Sequence, residues 1–369
     1  MTERFDIVVG GAGIAGASLA AELAPHARVL LAEAEDFPGY HTTGRSAAFW
    51  EECYGGPEIV PLTLASGGWL RDHGFLSERG ALYIARHGEE PAVERFIETF
   101  AGSGATIHRL GRAAMEDMLP GLQDNWTHAI HEPACADIDV AGLHQHYLTA
   151  AKRGGAALRV RHRLAGAERE GDGWRLDFGT AGEVRAGLLV DAAGAWADEI
   201  AQMAGAQPLG ITPLRRTVAQ LRVDPQPAPD LPLVLDLSGQ FYFKPDGGKL
   251  WLSPHDETPS APCDAAPEEL DVALAIDRLG DVVDWQVQAV ERKWAGLRSF
   301  APDRLPVYGH DPQREGFFWF AGQGGYGIQT APAAARLAAQ LLLGRQRDGL
   351  THDLDVSLYA PGRLVWTPA

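Results

Sequence analysis

Three glycines, Gly11, Gly13 and Gly16, separate two apolar segments near the start of the chain. Residues 5–9 predict a buried parallel strand, and the alanine- and leucine-rich residues 14–23 predict a helix. The spacing is G-x-G-x-x-G: the first glycine permits a tight turn, the second lets backbone approach a pyrophosphate, and the third allows close packing of helix on strand. The pattern predicts a strand–turn–helix unit that binds a dinucleotide.

A carboxylate follows at the position that this interpretation requires. Residues 28–32 predict a second buried strand, which ends at Glu33. Glu33 can accept hydrogen bonds from ribose hydroxyls, and the helix N-terminus offers free N–H groups and a partial positive charge to a pyrophosphate. We therefore expect Ile14, Ala15 and Ala34 to contact the dinucleotide as well. The alternative is a glycine-rich turn that binds no ligand.

Charge and cysteine content exclude several classes of partner. The chain has 369 residues, enough for two domains that share a core, and a formal net charge of −17. A surface this negative repels nucleic acid and anionic lipid, so neither is expected as a partner. The three cysteines, Cys53, Cys135 and Cys263, form no metal or disulfide pattern, which favours the cytoplasm and no metal site. No run approaches the roughly 18 apolar residues that span a bilayer, so we expect a soluble protein without a membrane span.

The order of predicted elements indicates an α/β fold with two domains. Strand-like runs separated by proline-rich loops between residues 212 and 295 predict an antiparallel sheet, whereas both ends of the chain have the strand–helix texture of a parallel one. Helices are predicted at 90–100, at 140–153 with Asp139 as N-cap, at 331–343 and, as a short segment, at 45–50. We assign residues 1–80, 139–212 and 296–369 to a discontinuous dinucleotide-binding domain, and residues 81–138 and 213–295 to a substrate-binding domain.

The rest of the pattern favours FAD over NAD. An NAD-binding chain usually continues with further βαβ units, whereas here a long polar loop follows the second strand and supplies Thr42, Thr43, Arg45, Ser46, Ala47 and Ala48. Two later turns allow backbone to approach a flat ring, the first with Ala193, Gly194 and Trp196 and the second with Gly324, Gly325 and Gly327. The second turn precedes the helix at 331–343, whose dipole can stabilise negative charge on a reduced flavin. Taken alone, each turn is more often an ordinary loop.

Taken in order, these motifs resemble those of the D-amino-acid oxidase (glycine oxidase-like) superfamily. The resemblance rests on residues 11–16, 38–48, 136–139, 192–196, 294–300 and 323–330, and within the superfamily the chain is most similar to bacterial D-arginine dehydrogenases. It implies a Rossmann-like FAD-binding domain of the GR2 type, a second domain with an antiparallel substrate sheet, noncovalent FAD, and hydride transfer from the substrate carbon to the flavin. It also adds Leu164, Gly296, Ile328 and Gln329 to the expected FAD contacts.

The resemblance further implies a set of substrate-binding residues. Arg298 and Tyr242 would bind the substrate carboxylate, with Arg216 as a second cation; a guanidinium fork matches a carboxylate and stays charged when desolvated. Tyr54 corresponds to an active-site lid tyrosine, and Gly325 to a glycine whose carbonyl accepts the substrate amine. Without the resemblance, the arginines would be interpreted as ion-pair residues and Tyr54 as a packed loop residue. No catalytic base is assigned, because hydride transfer from a neutral amine needs none.

Two departures from the arginine dehydrogenases bear on the substrate. A glutamate that holds the cationic tail in those enzymes falls at or near Ala81 here, and a loop histidine is replaced by Phe49. An unpaired ammonium or guanidinium in so apolar a pocket would lose its salt bridge. The sequence therefore predicts neutral, hydrophobic D-amino acids, oxidised to imino acids that hydrolyse to 2-oxo acids and ammonia. Glu51, in the same loop, leaves two alternatives: it binds the tail of D-arginine or D-lysine, or it faces solvent.

The sequence leaves the electron acceptor and two rival functions open. The related sarcosine oxidases place a lysine above the flavin for the reaction with oxygen. The matching position here is Trp251, although Lys249 lies on the same strand face. This favours a dehydrogenase with a quinone or another acceptor over an oxidase that uses oxygen. An oxidase of sarcosine, N-substituted glycine or another secondary amino acid is the main rival, and a non-catalytic dinucleotide-binding module is the other.

Overall fold

The computed structural model describes residues 2–364. Residue 1 and residues 365–369, which we assigned to the ends of the dinucleotide-binding domain, lie outside the described residues. The helices are, in chain order, α1 (Ile14–Leu23), α2 (Val60–Asp72), α3 (Glu90–Phe100), α4 (Arg112–Met118), α5 (Val140–Arg153), α6 (Ala197–Met203), α7 (Glu269–Val282) and α8 (Ala331–Leu343).

The strands alternate with these helices along the whole chain. In the first half they are β1 (Glu3–Gly10), β2 (Val29–Ala32), β3 (Phe49–Trp50), β4 (Leu76–Glu78), β5 (Ala81–Arg86), β6 (His108–Gly111), β7 (Trp126–Glu132), β8 (Ala136–Ile138), β9 (Ala157–Arg159), β10 (Gly166–Glu170) and β11 (Gly173–Asp177). In the second half they are β12 (Glu183–Asp191), β13 (Thr212–Asp224), β14 (Leu233–Asp236), β15 (Tyr242–Asp246), β16 (Lys249–Ser253), β17 (Thr258–Pro259), β18 (Gln286–Phe300), β19 (Val307–His310), β20 (Phe317–Ala321) and β21 (Gln323–Gly324).

Within residues 2–364, one sheet has eight strands, and the glycine-rich turn follows its strand β1. Its central strands lie in the order β9–β2–β1–β12–β20 and are parallel, while β10, β11 and β19 add antiparallel pairs at its edge. Helices α1, α5 and α8 contribute to the apolar core on one face, and α6 to that on the other. Because both faces are covered, the central strands are almost continuously apolar, as the sequence indicated.

Among the same described residues, a second sheet has ten strands. Its main path is β21–β18–β13–β16–β15–β14–β5–β7–β6, antiparallel except for the β14–β5 pair. One face packs against α4 and α7, with Phe243, Leu250 and Leu252 in that core. The opposite face carries Tyr242 and Trp251, because successive side chains on a strand alternate between faces. This second face is directed toward the segment that follows β3.

The expected fold class, a Rossmann-like domain combined with a mainly antiparallel sheet, is confirmed. The helices predicted at 90–100, 140–153 and 331–343 have those bounds, and the Asp139 carboxylate accepts a hydrogen bond from the Gly142 N–H at 2.9 Å. Strand β18 continues through position 296, where we expected one domain to give way to the other. Among the described residues, no helix is both long enough and apolar enough to cross a lipid bilayer.

The short helix predicted at 45–50 is wrong. A 3-10 turn covers Thr43–Arg45, and Phe49 and Trp50 then form β3, which pairs with β8 in a small third sheet with β4. Two bulky aromatic residues favour a strand over a helix. The pairing of Phe49 with Asp137 brings this loop to the face of the ten-stranded sheet that carries Tyr242.

Candidate active site

The glycine-rich turn has no room for side chains at two of its glycines. Gly11 has φ +100°, and a Cβ there would lie 2.6 Å from the carbonyl oxygen of Ala192. A Cβ at Gly16 would overlap the carbonyl oxygen of Gly11. A Cβ at Gly13 would lie 3.1 Å from the Thr43 hydroxyl oxygen, and Gly13 borders the cavity described below. The turn therefore has the close approach of helix and strand that a dinucleotide-binding motif requires.

Both polar groups of the Ala12 peptide are held by buried side chains. The Ala12 N–H donates to Glu33 Oε2 at 2.9 Å, and Nε2 of His144 lies 2.9 Å from the Ala12 carbonyl oxygen. A carbonyl only accepts, so this ring nitrogen carries the hydrogen. Burial lowers the pKa of His144, which favours the neutral ring. Sequence reasoning missed His144, because it lies on α5, far from the motif along the chain.

A continuous cavity begins at this turn and runs to the ten-stranded sheet. It is lined by many of the predicted cofactor-binding residues, namely Gly11, Gly13, Ile14, Ala15, Glu33, Ala34, Thr42, Thr43, Ser46, Leu164, Ala193, Gly194, Trp196, Gly324, Gly325, Gly327 and Ile328. Arg298 lines the same cavity. The predicted residues that do not line it are Gly16, Arg45, Ala47, Ala48, Gly296, Gln329, Tyr54, Tyr242 and Arg216.

Arg45 and Gly296 do not line the cavity but contact neighbouring protein groups. Arg45 forms an ion pair with Asp264 and donates to the carbonyl oxygens of Ala265 and Ala295, so its guanidinium is already bound by protein. A Cβ on Gly296 would lie 3.1 Å from Nη1 of Arg298, so its backbone passes close to that guanidinium.

The two threonine hydroxyls of the loop are also engaged with backbone. The Thr42 hydroxyl donates to the carbonyl oxygen of Leu297 at 2.7 Å, and the Thr43 hydroxyl accepts from the Ile14 N–H at 3.0 Å. Thr43 thus fixes the start of α1, while Thr42 fixes the loop to β18. Both residues still border the cavity.

Sequence reasoning did not assign several polar or aromatic residues that line the cavity, among them Glu35, Tyr40, His41, His162 and Arg163. The His41 ring lies 4.7 Å from the Trp196 ring, and its Nε2 is 3.1 Å from Glu35 Oε1. The His162 N–H donates to the Glu33 carbonyl oxygen at 2.7 Å. Their only sequence signal was their place in or near loops that follow parallel strands, where ligands bind in such sheets.

Arg298 provides a buried positive charge at the sheet end of the cavity. Its side chain is buried, and Nη1 has no hydrogen-bond partner among residues 2–364. Burial lowers the pKa of Arg298, while Tyr242 and Tyr54 act in the opposite direction. A buried guanidinium without an anion is unfavourable. Because Arg298 lines the cavity, a carboxylate bound there is a suitable partner for this guanidinium.

Arg216 lies beside Arg298 but already has partners. On the paired strands Arg216 is opposite Gly296 and Leu214 is opposite Arg298, so the two arginines are diagonal neighbours on one face. Arg216 Nε donates to the Asp256 carbonyl oxygen at 2.8 Å, and Nη2 lies 3.1 Å from Glu257 Oε1. Despite burial, the pKa of Arg216 is raised by Tyr54, Tyr242 and these acids. It strengthens the positive potential around Arg298.

An aromatic wall adjoins the two arginines. The Phe49 ring lies 5.7 Å from the Tyr242 ring and 5.9 Å from the Tyr54 ring. A Cβ on Gly325 would overlap the Tyr54 hydroxyl, so Tyr54 and the glycine turn at 324–327 are in contact. The structure thus brings Tyr54, Tyr242, Gly325 and Arg298 together.

Of the two alternatives for Glu51, exposure to solvent is wrong, because its side chain is fully buried. Ala81, also fully buried, is paired with Glu132 on the neighbouring strand β7. The Glu132 residue therefore lies beside Ala81, the position at which the sequence itself has no carboxylate. Both Glu132 oxygens accept backbone hydrogen bonds, at 2.6 Å from the Glu52 N–H and at 3.3 Å from the Cys53 N–H. Sequence reasoning missed Glu132 because the pairing of β5 with β7 joins distant segments.

The lysine considered for oxygen chemistry is engaged elsewhere. Lys249 Nζ forms an ion pair with Glu291 at 2.7 Å. The Trp251 ring lies 5.0 Å from the Trp294 ring, and both pack against the apolar cluster that contains Tyr242. A third residue on this face, Lys244, has its Nζ 5.4 Å from the Trp251 ring and 2.5 Å from Asp137 Oδ1.

The residues present fit FAD. The glycine turn packs the start of α1 closely against the neighbouring backbone, Glu33 lies at the end of β2, and the later glycine turns border the same cavity. Fold and cavity together define a flavin dinucleotide-binding protein with a separate substrate sheet. Residues 6–341 match the family described as FAD dependent oxidoreductase, abbreviated DAO. The chain belongs to this family and is an FAD-dependent oxidoreductase.

Individual relatives are similar over nearly the whole chain. A glycine oxidase of Pseudomonas aeruginosa is 28% identical, covering 99% of this chain and 100% of the relative. A glycine oxidase of Geobacillus kaustophilus is 26% identical over 93% of this chain and 94% of its own length. The crystal structure of the latter superposes with a TM-score of 0.84, covering 97% of this chain and 98% of that one. An L-proline dehydrogenase from P. horikoshii shares the fold, with a TM-score of 0.85 at 22% identity over 98% of each chain.

Proposed function

We propose that this protein oxidises D-amino acids with neutral, hydrophobic side chains to imino acids, which water hydrolyses to 2-oxo acids and ammonia. The observation that carries the proposal is Arg298, a buried guanidinium that lines the cofactor cavity and has a nitrogen without a partner among the described residues. A planar guanidinium binds a carboxylate through two parallel hydrogen bonds. Arg298 thus supports a substrate that carries a carboxylate next to the reacting carbon.

The neighbouring residues have distinct roles in this proposal. Arg298 and the Tyr242 hydroxyl bind the carboxylate, and the Gly325 carbonyl accepts a hydrogen bond from the substrate amine. Tyr54 covers the site and excludes water. Bound FAD supplies the two-electron acceptor for the hydride from the substrate carbon. Fixing carboxylate and amine at two points directs one face of the α-carbon toward the flavin and so selects one enantiomer.

The preference for a neutral side chain rests on the packing near Ala81 and Phe49. Both residues belong to one apolar cluster with Tyr83, Leu235 and Tyr242. The carboxyl groups in this region, those of Glu51 and Glu132, already accept hydrogen bonds from protein N–H and O–H groups. Only Oε2 of Glu51 has no donor among the described residues, and a cationic tail that reached it would lose its hydration in this buried site, which is unfavourable.

Anaerobic mixing of the purified holoprotein with a panel of D- and L-amino acids, followed by the flavin absorbance, tests the proposal. We expect bleaching with hydrophobic D-amino acids. Arg298→Met should lower kcat/KM by about a hundredfold or more, since it removes a buried charge-assisted pair. Arg292→Met, on the exposed part of the same strand, is the matched control and should leave kcat/KM unchanged. A protein that no D-amino acid bleaches would not have this function.

Secondary amino acids are the second candidate substrates. The relatives described above carry the names glycine oxidase and L-proline dehydrogenase, and a site built on Arg298 would bind sarcosine or proline through the same carboxylate. Reduction by sarcosine, N-substituted glycines or proline, with no reduction by primary D-amino acids, would favour this alternative.

We also propose an acceptor other than oxygen, such as a quinone. The support is Trp251, where the sarcosine oxidases are expected to have a lysine, together with the ion pair that holds Lys249. Turnover measured side by side with oxygen and with an artificial quinone tests this. Faster turnover with oxygen would contradict it.

A further inference from the structure

Two carboxyl groups face each other in the buried region behind Tyr54. A carboxylate oxygen of Glu51, one of Glu132 and Sγ of Cys53 lie within 4.8 Å of one another, and all three residues are buried. Within residues 2–364 neither glutamate forms an ion pair with a lysine, arginine or histidine. The nearby cations Arg79 and Lys244 pair with Asp137 instead. Two buried negative charges at this distance, with no cation beside them among the described residues, cannot both be retained.

The hydrogen bonds show which oxygen is free to carry a proton. Glu132 accepts the N–H groups of Glu52 and Cys53 on its two oxygens, as an ionised carboxylate does. Oε1 of Glu51 accepts from the Tyr83 hydroxyl and, at 3.1 Å, from the Cys53 N–H. Oε2 of Glu51 is fully buried and accepts from no donor among the described residues. Oε2 is therefore the Glu51 oxygen that is free to carry a hydrogen.

Residues 51–54, which we call the lid segment, carry both this carboxyl group and Tyr54. The Tyr54 N–H donates to the Glu51 carbonyl oxygen at 3.4 Å. The Gln329 side chain joins the same residue to the start of α8, donating to the Glu51 carbonyl at 3.1 Å and accepting from its N–H at 3.3 Å. Glu51 thus connects three parts of the molecule: the lid segment, the strands β5 and β7 of the substrate sheet, and the glycine turn.

We propose that Glu51 and Glu132 share one proton, and that this neutral-acid hydrogen bond is a positioning contact that holds Tyr54 over the substrate site. Glu51 touches neither substrate nor cofactor in this role; it acts through the backbone of the lid segment. The lid part of the inference rests on the proposed function, whereas the shared proton does not.

The electrostatic surroundings support the assignment of the proton to Glu51. Burial, together with Glu132, raises the pKa of Glu51 well above its ordinary value, while the hydrogen bonds from Tyr83 and Cys53 oppose the shift. Burial also raises the pKa of Glu132, where the hydrogen bond from Glu51 has the opposite effect. The titratable groups that surround the pair, from its own segment and from the packed strands and turns, are Glu52, Cys53, Tyr83 and Cys135.

Infrared spectroscopy of the holoprotein tests the shared proton directly. The difference spectrum of wild type minus Glu51→Gln should show the C=O stretching band of a protonated carboxylic acid, shifted by deuterium exchange; bands of other buried acids, such as Asp191, cancel in this difference. The control is Glu58→Gln, a nearby exposed glutamate, which should keep the band. A difference spectrum that lacks this band overturns the shared proton. A stoichiometric metal in the purified protein that is lost in Glu51→Gln would also overturn it, since the pair would then ligate the metal.

Steady-state kinetics test the positioning role. Glu51→Gln retains a neutral donor and an acceptor, so KM should stay within about twofold of wild type, whereas Glu51→Leu should raise KM about tenfold with a smaller change in kcat. Flavin content and thermal melting show whether Glu51→Leu has folded. If it has not, the KM of Glu51→Gln alone tests the positioning role. If no amino acid is oxidised, binding of an aromatic carboxylate, measured by the flavin spectrum, replaces KM. A preference for D-lysine or D-arginine that disappears in Glu51→Gln would overturn the proposal, because Glu51 would then bind a cationic tail.

Discussion

The hydroxyl of Tyr54 occupies the space that a side chain at Gly325 would need. Gly325 is not in the left-handed region, so alanine is compatible with its backbone, and the effect of a substitution falls on the tyrosine. We expect Gly325→Ala to displace Tyr54, at a cost of about 1–3 kcal/mol from overpacking, and to lower kcat/KM with little loss of bound FAD. Kinetics and flavin absorbance measure the two effects. The control is Gly349→Ala, where a Cβ meets nothing within 4 Å; equal effects of the two variants would rule out the contact.

His144 should contribute to FAD affinity although it does not line the cavity. Its Nε2–H binds the Ala12 carbonyl, and without this donor a carbonyl in the glycine turn is left unsatisfied. His144→Ala should therefore weaken FAD binding by about tenfold, as measured by flavin fluorescence during titration of the apoprotein. Gln145→Ala, on the exposed side of the same helix, should bind FAD as wild type does. Unchanged affinity in His144→Ala would mean that Glu33 alone fixes the turn.

The three cysteines should differ sharply in reactivity. Cys53 and Cys135 are buried, and burial raises the pKa of both thiols, whereas Cys263 is exposed. The thiolate is the reactive form, so a maleimide should modify Cys263 alone in the native protein and all three residues after denaturation. Mass spectrometry of the modified protein counts the added groups. Rapid modification of Cys53 in the native protein would contradict the packed environment around Glu51.

The sequence predicted the parts of the fold that depend on neighbours along the chain. The glycine turn, α3, α5, α8 and the Glu33 carboxylate follow from local spacing and periodicity. Contacts between distant segments did not follow: Glu132 reaches Ala81 through the β5–β7 pairing, and His144 reaches Ala12 from another helix. Glu51 shows the same limit, because no local pattern distinguishes a buried carboxyl from an exposed one. The match of Arg298 to a family motif predicted its place at the cavity, while its unpaired nitrogen was visible only in the structure.

Asp137 should make the stability of the protein depend on pH at the acidic end. Its carboxylate lies between Lys244, at 2.5 Å, and Arg79, at 2.6 Å, and although burial acts in the opposite direction these cations lower the pKa of Asp137 below its ordinary value of 3.8. A lowered native pKa contributes stability that is complete above the unfolded value and is lost as the pH falls through the native one. Asp137→Asn leaves the buried Lys244 ammonium without its anion, so we expect a loss of about 3 kcal/mol at neutral pH. Below pH 3.8 the difference from wild type should shrink, because the proton then binds Asp137 in the unfolded chain first and in the native protein only at still lower pH. Thermal melting across this range, with the exposed Asp172→Asn as control, measures the difference; a gap that stays constant with pH would mean that the ion pair does not stabilise the fold.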